Sequence, residues 1–149
     1  MELPVETVTK AVQLAREFVC VNLAPACPVP AEALERADLL VANDLEAAFY
    51  GPSLHAGKGL VAITHGAKGA SLFVGGQPIA SVAPPRVRAV DTTGAGDAFV
   101  AALTVALVEG MPRERALAFA CAAGAVAATR PGAQSSLPMR AEVEALLQG

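Results

Sequence analysis

The spacing of apolar residues changes several times along the chain, and each change predicts an element. Val8, Ala11, Val12 and Ala15 recur at helical spacing among Glu6, Gln13 and Arg16, so residues 5–16 are expected to form a helix. The unbroken run Phe18-Val19-Cys20-Val21 predicts a buried strand. Pro25, Pro28 and Pro30 punctuate a loop, Ala31 to Arg36 reads as a short helix, and Asp38-Leu39-Leu40-Val41-Ala42 reads as the next strand. Between Leu45 and Gly59 there is room for one short helix at most. Leu60 to Thr64 is a third apolar run, followed by a hairpin of Ala70 to Val74 and Pro78 to Val82 around Gly75-Gly76. Residues 96–109 and 113–128 are Ala-rich and apolar nearly all round, so both are expected to be largely buried helices, and 139–147 closes the chain with a more amphipathic one. Strands alternating with helices predict an α/β fold with a mainly parallel sheet, in a single domain over residues 1–149.

Composition narrows the classes of function. The hydrophobic content is 54%, but it consists largely of Ala and Val in short runs, and no stretch approaches the roughly 20 apolar residues of a spanning helix. Met1-Glu2-Leu3-Pro4-Val5-Glu6 carries acids where a signal peptide has a basic segment, so the expected location is the cytoplasm, with no membrane partner. Cys20, Cys27 and Cys121 are an odd number and are expected to be buried, reduced thiols. His55 and His65 lie in no cluster at zinc-ligand spacing. A net charge of -3 with dispersed basic residues gives no footprint for nucleic acid.

The segment Asp91-Thr92-Thr93-Gly94-Ala95-Gly96-Asp97-Ala98-Phe99 carries the chemistry. A glycine-rich turn runs directly into a long helix there, and free amides at a helix N-terminus suit phosphate oxygens or the charge on a phosphoryl group in transit. A carboxylate in the first helical turn would repel such an anion, which makes sense if it accepts a proton from a hydroxyl nucleophile. Taken alone, the string also reads as an ordinary loop with an acid favoured near a helix start.

The string resembles the C-terminal signature of the ribokinase family, the PfkB carbohydrate kinases. The likeness continues in family order through Val21-Asn22-Leu23-Ala24-Pro25-Ala26, Asn43-Asp44-Leu45-Glu46, Thr64-His65-Gly66-Ala67-Lys68-Gly69, and Thr129-Arg130-Pro131-Gly132-Ala133 with Ser136. It implies a Rossmann-like three-layer sheet and ATP-dependent phosphoryl transfer to a hydroxyl of a sugar or related alcohol. By the same resemblance Asp97 would be the catalytic base, with an anion hole from the amides of Gly94, Ala95 and Gly96. Glu46, with Asn43, would organise Mg2+ around the nucleotide phosphates. Thr64, His65, Gly66, Ala67, Lys68 and Gly69 would wrap the nucleotide, with Gly96 and Asp97 at its phosphates and Cys121 near the adenine. A monovalent cation such as K+ would be held at Asp91, Thr93, Ala127, Arg130, Gly132 and Ser136. Read singly, Asn43-x-x-Glu46 fits a helix cap with a solvated acid equally well, Thr64 to Gly69 fits a plain turn, and Cys121 fits helix packing.

Two other motifs fail. Gly51 to Gly59 imitates a Walker A loop, but its glycine spacing is one too long and no Ser or Thr follows Lys58. Gly94-Ala95-Gly96 lacks the third glycine of a dinucleotide fingerprint. The resemblance covers only the C-terminal part of a typical family member, with no counterpart of the N-terminal strands, the double-glycine sugar motif or the β lid. The chain is therefore expected to self-associate or to pair with a complementing N-terminal half before it acts as a kinase. Its rival reading is a noncatalytic nucleotide-binding or assembly module.

Overall fold

A computed structural model describes residues 3–148, so Met1 and Glu2 of the leader reading, and Gly149, lie outside the described residues. The elements run α1 (Val5–Leu14), β1 (Cys20–Asn22), α2 (Ala31–Arg36), β2 (Leu39–Asn43), α3 (Asp44–Tyr50), β3 (Leu60–Thr64), β4 (Ala70–Val74), β5 (Gln77–Val82), α4 (Ala95–Val108), α5 (Arg113–Ala127) and α6 (Arg140–Gln148). Single 3-10 turns follow α3 at Gly51–His55 and precede β4 at Gly66–Lys68. Prolines begin three of the helices. Pro4, Pro30 and Pro112 sit at the N-cap positions of α1, α2 and α5, where their carbonyls accept the first helical amides and no proline N–H is left unpaired.

The strands form one five-stranded sheet in the order β1-β2-β3-β4-β5. β1, β2 and β3 are parallel neighbours. Helices α2 and α3 lie in their crossovers, as parallel pairing requires. The two-residue link Gly75-Gly76 turns β4 back into β5, and both glycines take the positive φ that such a hairpin needs. The sheet is therefore α/β in its first three strands and closes on a hairpin, as the apolar pattern predicts.

The chain separates into two compact units. One comprises the described residues up to Gly66 with Ser71–Ile79. Its core gathers Val12, Val21, Leu23, Leu34, Leu40, Leu54 and Val61. Gly59 is fixed there by close approach, since a Cβ would run into the carbonyl oxygen of Ala37 and the backbone of Asp38. Asp38 in turn accepts a hydrogen bond from the Val19 amide at 2.8 Å, which ties the entry of β1 to that of β2.

The other unit comprises Ala67–Ala70 and Ala80 to the described end. Alanine keeps α4 and α5 close, and at Gly124 of α5 an added Cβ would stand 3.1 Å from the Ala95 carbonyl oxygen. Leu103, Ala106, Leu117, Ala120 and Val143 are buried within this unit.

Four expectations need correction. β1 begins two residues later than the apolar run, because Phe18 is partly exposed and precedes the ladder. The segment after β2 holds a helix and a 3-10 turn rather than one short helix. α5 is buried on nearly all sides, whereas α4 leaves Val105 and Val108 exposed. Of the three cysteines only Cys121 is buried, and Cys20 and Cys27 are half-buried.

Replacing Leu103, which is fully buried, by Ala should cost about 2–5 kcal/mol. The exposed Val108→Ala should stay within about 0.5 kcal/mol of the parent. Denaturant midpoints with an unchanged slope will separate the two.

Candidate functional site

Asp91 organises the glycine-rich turn with both carboxylate oxygens. Oδ1 accepts hydrogen bonds from the Thr93 amide at 2.9 Å and the Thr93 hydroxyl at 2.7 Å. Oδ2 accepts from the Gly132 amide at 2.9 Å, reaching a loop 41 residues further along. These donors favour the ionised form, with the Gly132 amide foremost, and lower the Asp91 pKa from 3.8 to about 2 in a half-buried side chain. The amides of Val90 and Asp91 both donate to the Ala128 carbonyl, so the same two segments are joined through the main chain.

The two glycines of the turn differ in what they do. Gly94 is the N-cap of α4 at φ 79°, a left-handed conformation, and a Cβ there would stand 3.1 Å from Ala133 Cα. Both constraints exclude a side chain. At Gly96 the backbone is not left-handed and a Cβ would meet nothing within 4 Å. The fold therefore gives no internal reason for glycine at 96, where it weakens a helix relative to Ala. α4 has no side-chain cap, and among the described residues the Gly96 and Asp97 amides have no main-chain partner. The Ala95 amide, expected as a third anion-hole donor, instead donates to the Thr92 carbonyl at 3.1 Å. Asp97 lies exposed in the first turn of α4, and its carboxylate accepts no hydrogen bond among the described residues.

The residues proposed for a monovalent cation fall on this turn and on the loop that follows α5. Asp91, Thr93 and Gly132 are brought together by the hydrogen bonds above. Ala127 ends α5 and its carbonyl accepts from the Arg130 amide at 3.3 Å. The Ser136 side chain is fully buried and its hydroxyl donates to the Ala133 carbonyl at 2.9 Å. The Arg130 guanidinium turns away to pair with Glu142.

In the first unit, Asn43 and Thr64 are register partners at the carboxyl ends of β2 and β3. Asn43 caps α3 with its side-chain oxygen, accepting from the Leu45 amide at 2.9 Å and the Glu46 amide at 3.0 Å, while its own amide donates to Glu46 Oε2 at 2.8 Å. The pair is a reciprocal capping box. Glu46 is only 6% exposed, so the reading of a solvated acid does not hold. The Thr64 hydroxyl faces the Ala42 carbonyl at 3.5 Å. His65 is tethered at both ring nitrogens, Nδ1 to Asp44 Oδ1 at 2.7 Å and Nε2 to Ser71 Oγ at 3.0 Å. Gly66 has positive φ, Ala67 and Lys68 complete the 3-10 turn, and Gly69 lies so close to the backbone of Val82 and Ala83 that no side chain would fit. Cys121 is buried in α5, where loss of hydration pushes its thiol up to about 11 and its Sγ lies 3.8 Å from the Val82 carbonyl oxygen.

Sequence reasoning missed Ala133, Asp44, Ser71 and Glu142. Asp44 and Ala133 sat inside quoted motifs and could have been suspected, whereas Ser71 and Glu142 carry no signal without knowledge of their partners.

The model of the pfkB carbohydrate kinases matches residues 2–140. The chain belongs to the pfkB carbohydrate kinase family. Within that family it is 37% identical over 155 residues to the ribokinase of Bacillus subtilis, covering 98% of this chain and 53% of that one. The structure of Arabidopsis thaliana ribokinase complexed with ribose and ATP superposes with a TM-score of 0.87 at 31% identity, covering 98% of this chain and 53% of that one. A putative ribokinase II of E. coli in complex with ATP and Mg2+ gives a TM-score of 0.79 at 25% identity, covering 97% and 54%. The chain thus spans about half the length of the relatives it matches.

The depressed Asp91 pKa fixes a pH dependence. A carboxyl whose folded value lies below its unfolded one adds stability that is present in full above the unfolded value and disappears as pH falls through the folded value. The Gly132 amide resonance should therefore shift as pH is lowered from 3.8 towards about 2, and Asp91→Asn should abolish that titration. Retention of the shift in the variant would assign it to another group.

Proposed function

We propose that this chain is the nucleotide-binding and proton-abstracting part of an ATP-dependent kinase for a sugar or related alcohol. The observation that carries the reading is the open first turn of α4, where Gly96 has no packing role and Asp97 is exposed and unengaged. Glycine at that place is explained by an anion that approaches the main chain closely, and the acid by a hydroxyl that must lose its proton. Kinship with ribokinases supports the same chemistry.

In this mechanism the acceptor hydroxyl donates its proton to Asp97 as its oxygen forms a bond to the γ-phosphorus of ATP. The bond from that phosphorus to the bridging oxygen breaks, and ADP leaves with the electron pair. The amides of Gly94, Gly96 and Asp97 hold negative charge on the phosphoryl oxygens, aided by the N-terminal end of the α4 dipole. The donor set fits Mg2+, a hard cation that keeps several waters, since Glu46 offers a carboxylate whose Oε1 has no partner among the described residues. When bound, Mg2+ would neutralise phosphate charge. K+ at the carbonyls of Asp91, Thr93, Ala127, Arg130 and Gly132, near Ser136, would brace the turn without touching substrate. Thr64, His65, Gly66, Ala67, Lys68 and Gly69 would wrap the nucleotide mainly through the main chain, because the His65 ring is already tethered. Cys121 would lie near the base as a packing group.

The partners are a nucleotide and a small sugar, together with either an N-terminal half supplied by a longer product or another chain, or a second copy of this chain in a homo-oligomer. The edge strand β1 is three residues long, and Leu14 and Phe18 near it are exposed. Self-association should appear as a mass that rises with concentration in light-scattering chromatography. A fixed monomer mass would contradict it.

Titration calorimetry with β,γ-imido-ATP and Mg2+ tests the nucleotide half directly, and absence of heat and of any thermal shift would sink it. Once a complementing N-terminal half is supplied, Asp97→Asn should lower turnover by about 10²–10⁴-fold with nucleotide affinity nearly unchanged. Affinity without turnover in the complemented parent favours the noncatalytic module. Gly96→Ala gives an opposed pair of effects. It should stabilise the fold by up to about 1 kcal/mol while weakening nucleotide binding. Gains in both would remove the reason for glycine at that position.

A further inference from the structure

Beyond the turn itself, the structure holds a set of contacts that no role above has used. Glu142, in the first turn of α6, accepts from the Met139 amide with Oε2 at 2.8 Å and pairs through Oε1 with the Arg130 guanidinium. α6 is itself anchored: Arg140 Nη2 donates to both Glu109 oxygens at 2.7 Å, its guanidinium lies 5.6 Å from the Phe119 ring centroid, and Val143 is buried. Arg130 begins the loop that carries Gly132 and Ala133. Gly132 donates to Asp91, and Ala133 lies against the place where Gly94 would carry a side chain. A continuous path of contacts therefore runs from an anchored helix to the N-terminus of α4.

We propose that Glu142 is a positioning residue for the Asp91–Asp97 turn, acting through Arg130 and the loop at Gly132. Without the pair, the start of this loop would lose its tie to α6, the Gly132–Asp91 hydrogen bond and the Ala133–Gly94 contact would be left to hold it, and Gly132 would leave Asp91 more often. This deepens the kinase reading and rests on it for its consequence, because the turn so held is the one that would receive the phosphoryl group. The lowered pKa of Glu142, due first to the Met139 amide and then to Arg130, agrees with a carboxylate engaged at both oxygens.

The test uses two variants of the full chain. Glu142→Gln keeps an oxygen for the Met139 amide but removes the charge, and Arg130→Met removes the other partner. Amide hydrogen exchange at Gly132 should quicken about two- to fivefold in each, the effect of losing a half-exposed ion pair, while α5 amides stay unchanged. The double variant should exchange no faster than either single one, as for a coupled pair. Affinity for β,γ-imido-ATP with Mg2+ should fall by a similar factor at an unchanged melting temperature. Unaltered Gly132 exchange in both variants overturns the proposal, and so does equal quickening throughout α5, which marks general destabilisation. If the parent binds no analogue, the nucleotide reading fails, and Gly132 exchange still decides whether Glu142 positions the turn.

Discussion

One ionised carboxylate, that of Asp91, holds together two loops that the chain keeps 41 residues apart. One of its oxygens shapes its own turn through Thr93, and the other draws in Gly132. Once the loops are joined, the left-handed Gly94 can seat against Ala133, and α4 starts with the Gly96 and Asp97 amides left without a main-chain partner among the described residues. Break that link, and the open helix start loses the geometry on which any anion chemistry there would depend. Its strength comes from charge-assisted hydrogen bonds to main-chain donors, which have less freedom to wander than long side chains do.

Elsewhere side chains serve the same end of holding main-chain groups at strand ends. Asn43 and Glu46 satisfy each other's backbone at the start of α3, and His65 is held from both sides by Asp44 and Ser71. In each case a polar residue of the family motif has a structural partner inside the chain. The motif residues therefore divide into those that build the frame and the few left uncommitted. Asp97 and Gly96 belong to the second group, which is why they carry the functional reading.

Much of this was legible in the sequence. The apolar pattern found the strands and the longer helices, since α/β elements bury apolar stripes whose spacing is local, but it left α3 and the turn after it as room for one short helix at most. The family string placed the turn at the head of α4. What periodicity could not supply was pairing at a distance. The burial of Glu46 follows from its reach back to the Asn43 amide, and the exposure of one side of α4 depends on what packs opposite it. The Thr92 carbonyl that occupies the Ala95 amide is set by a turn conformation, which residue types alone do not determine. Glu142 looked like one more acid on an amphipathic helix until its partner Arg130 was known.

The close seat of Gly94 on Ala133 ties the history of two distant stretches of sequence. Any drift that swells or reroutes residues 131–135 presses on a glycine that cannot yield, so neither stretch can evolve freely of the other. Anyone transplanting this helix start into a foreign sheet would need to move both pieces as a matched set.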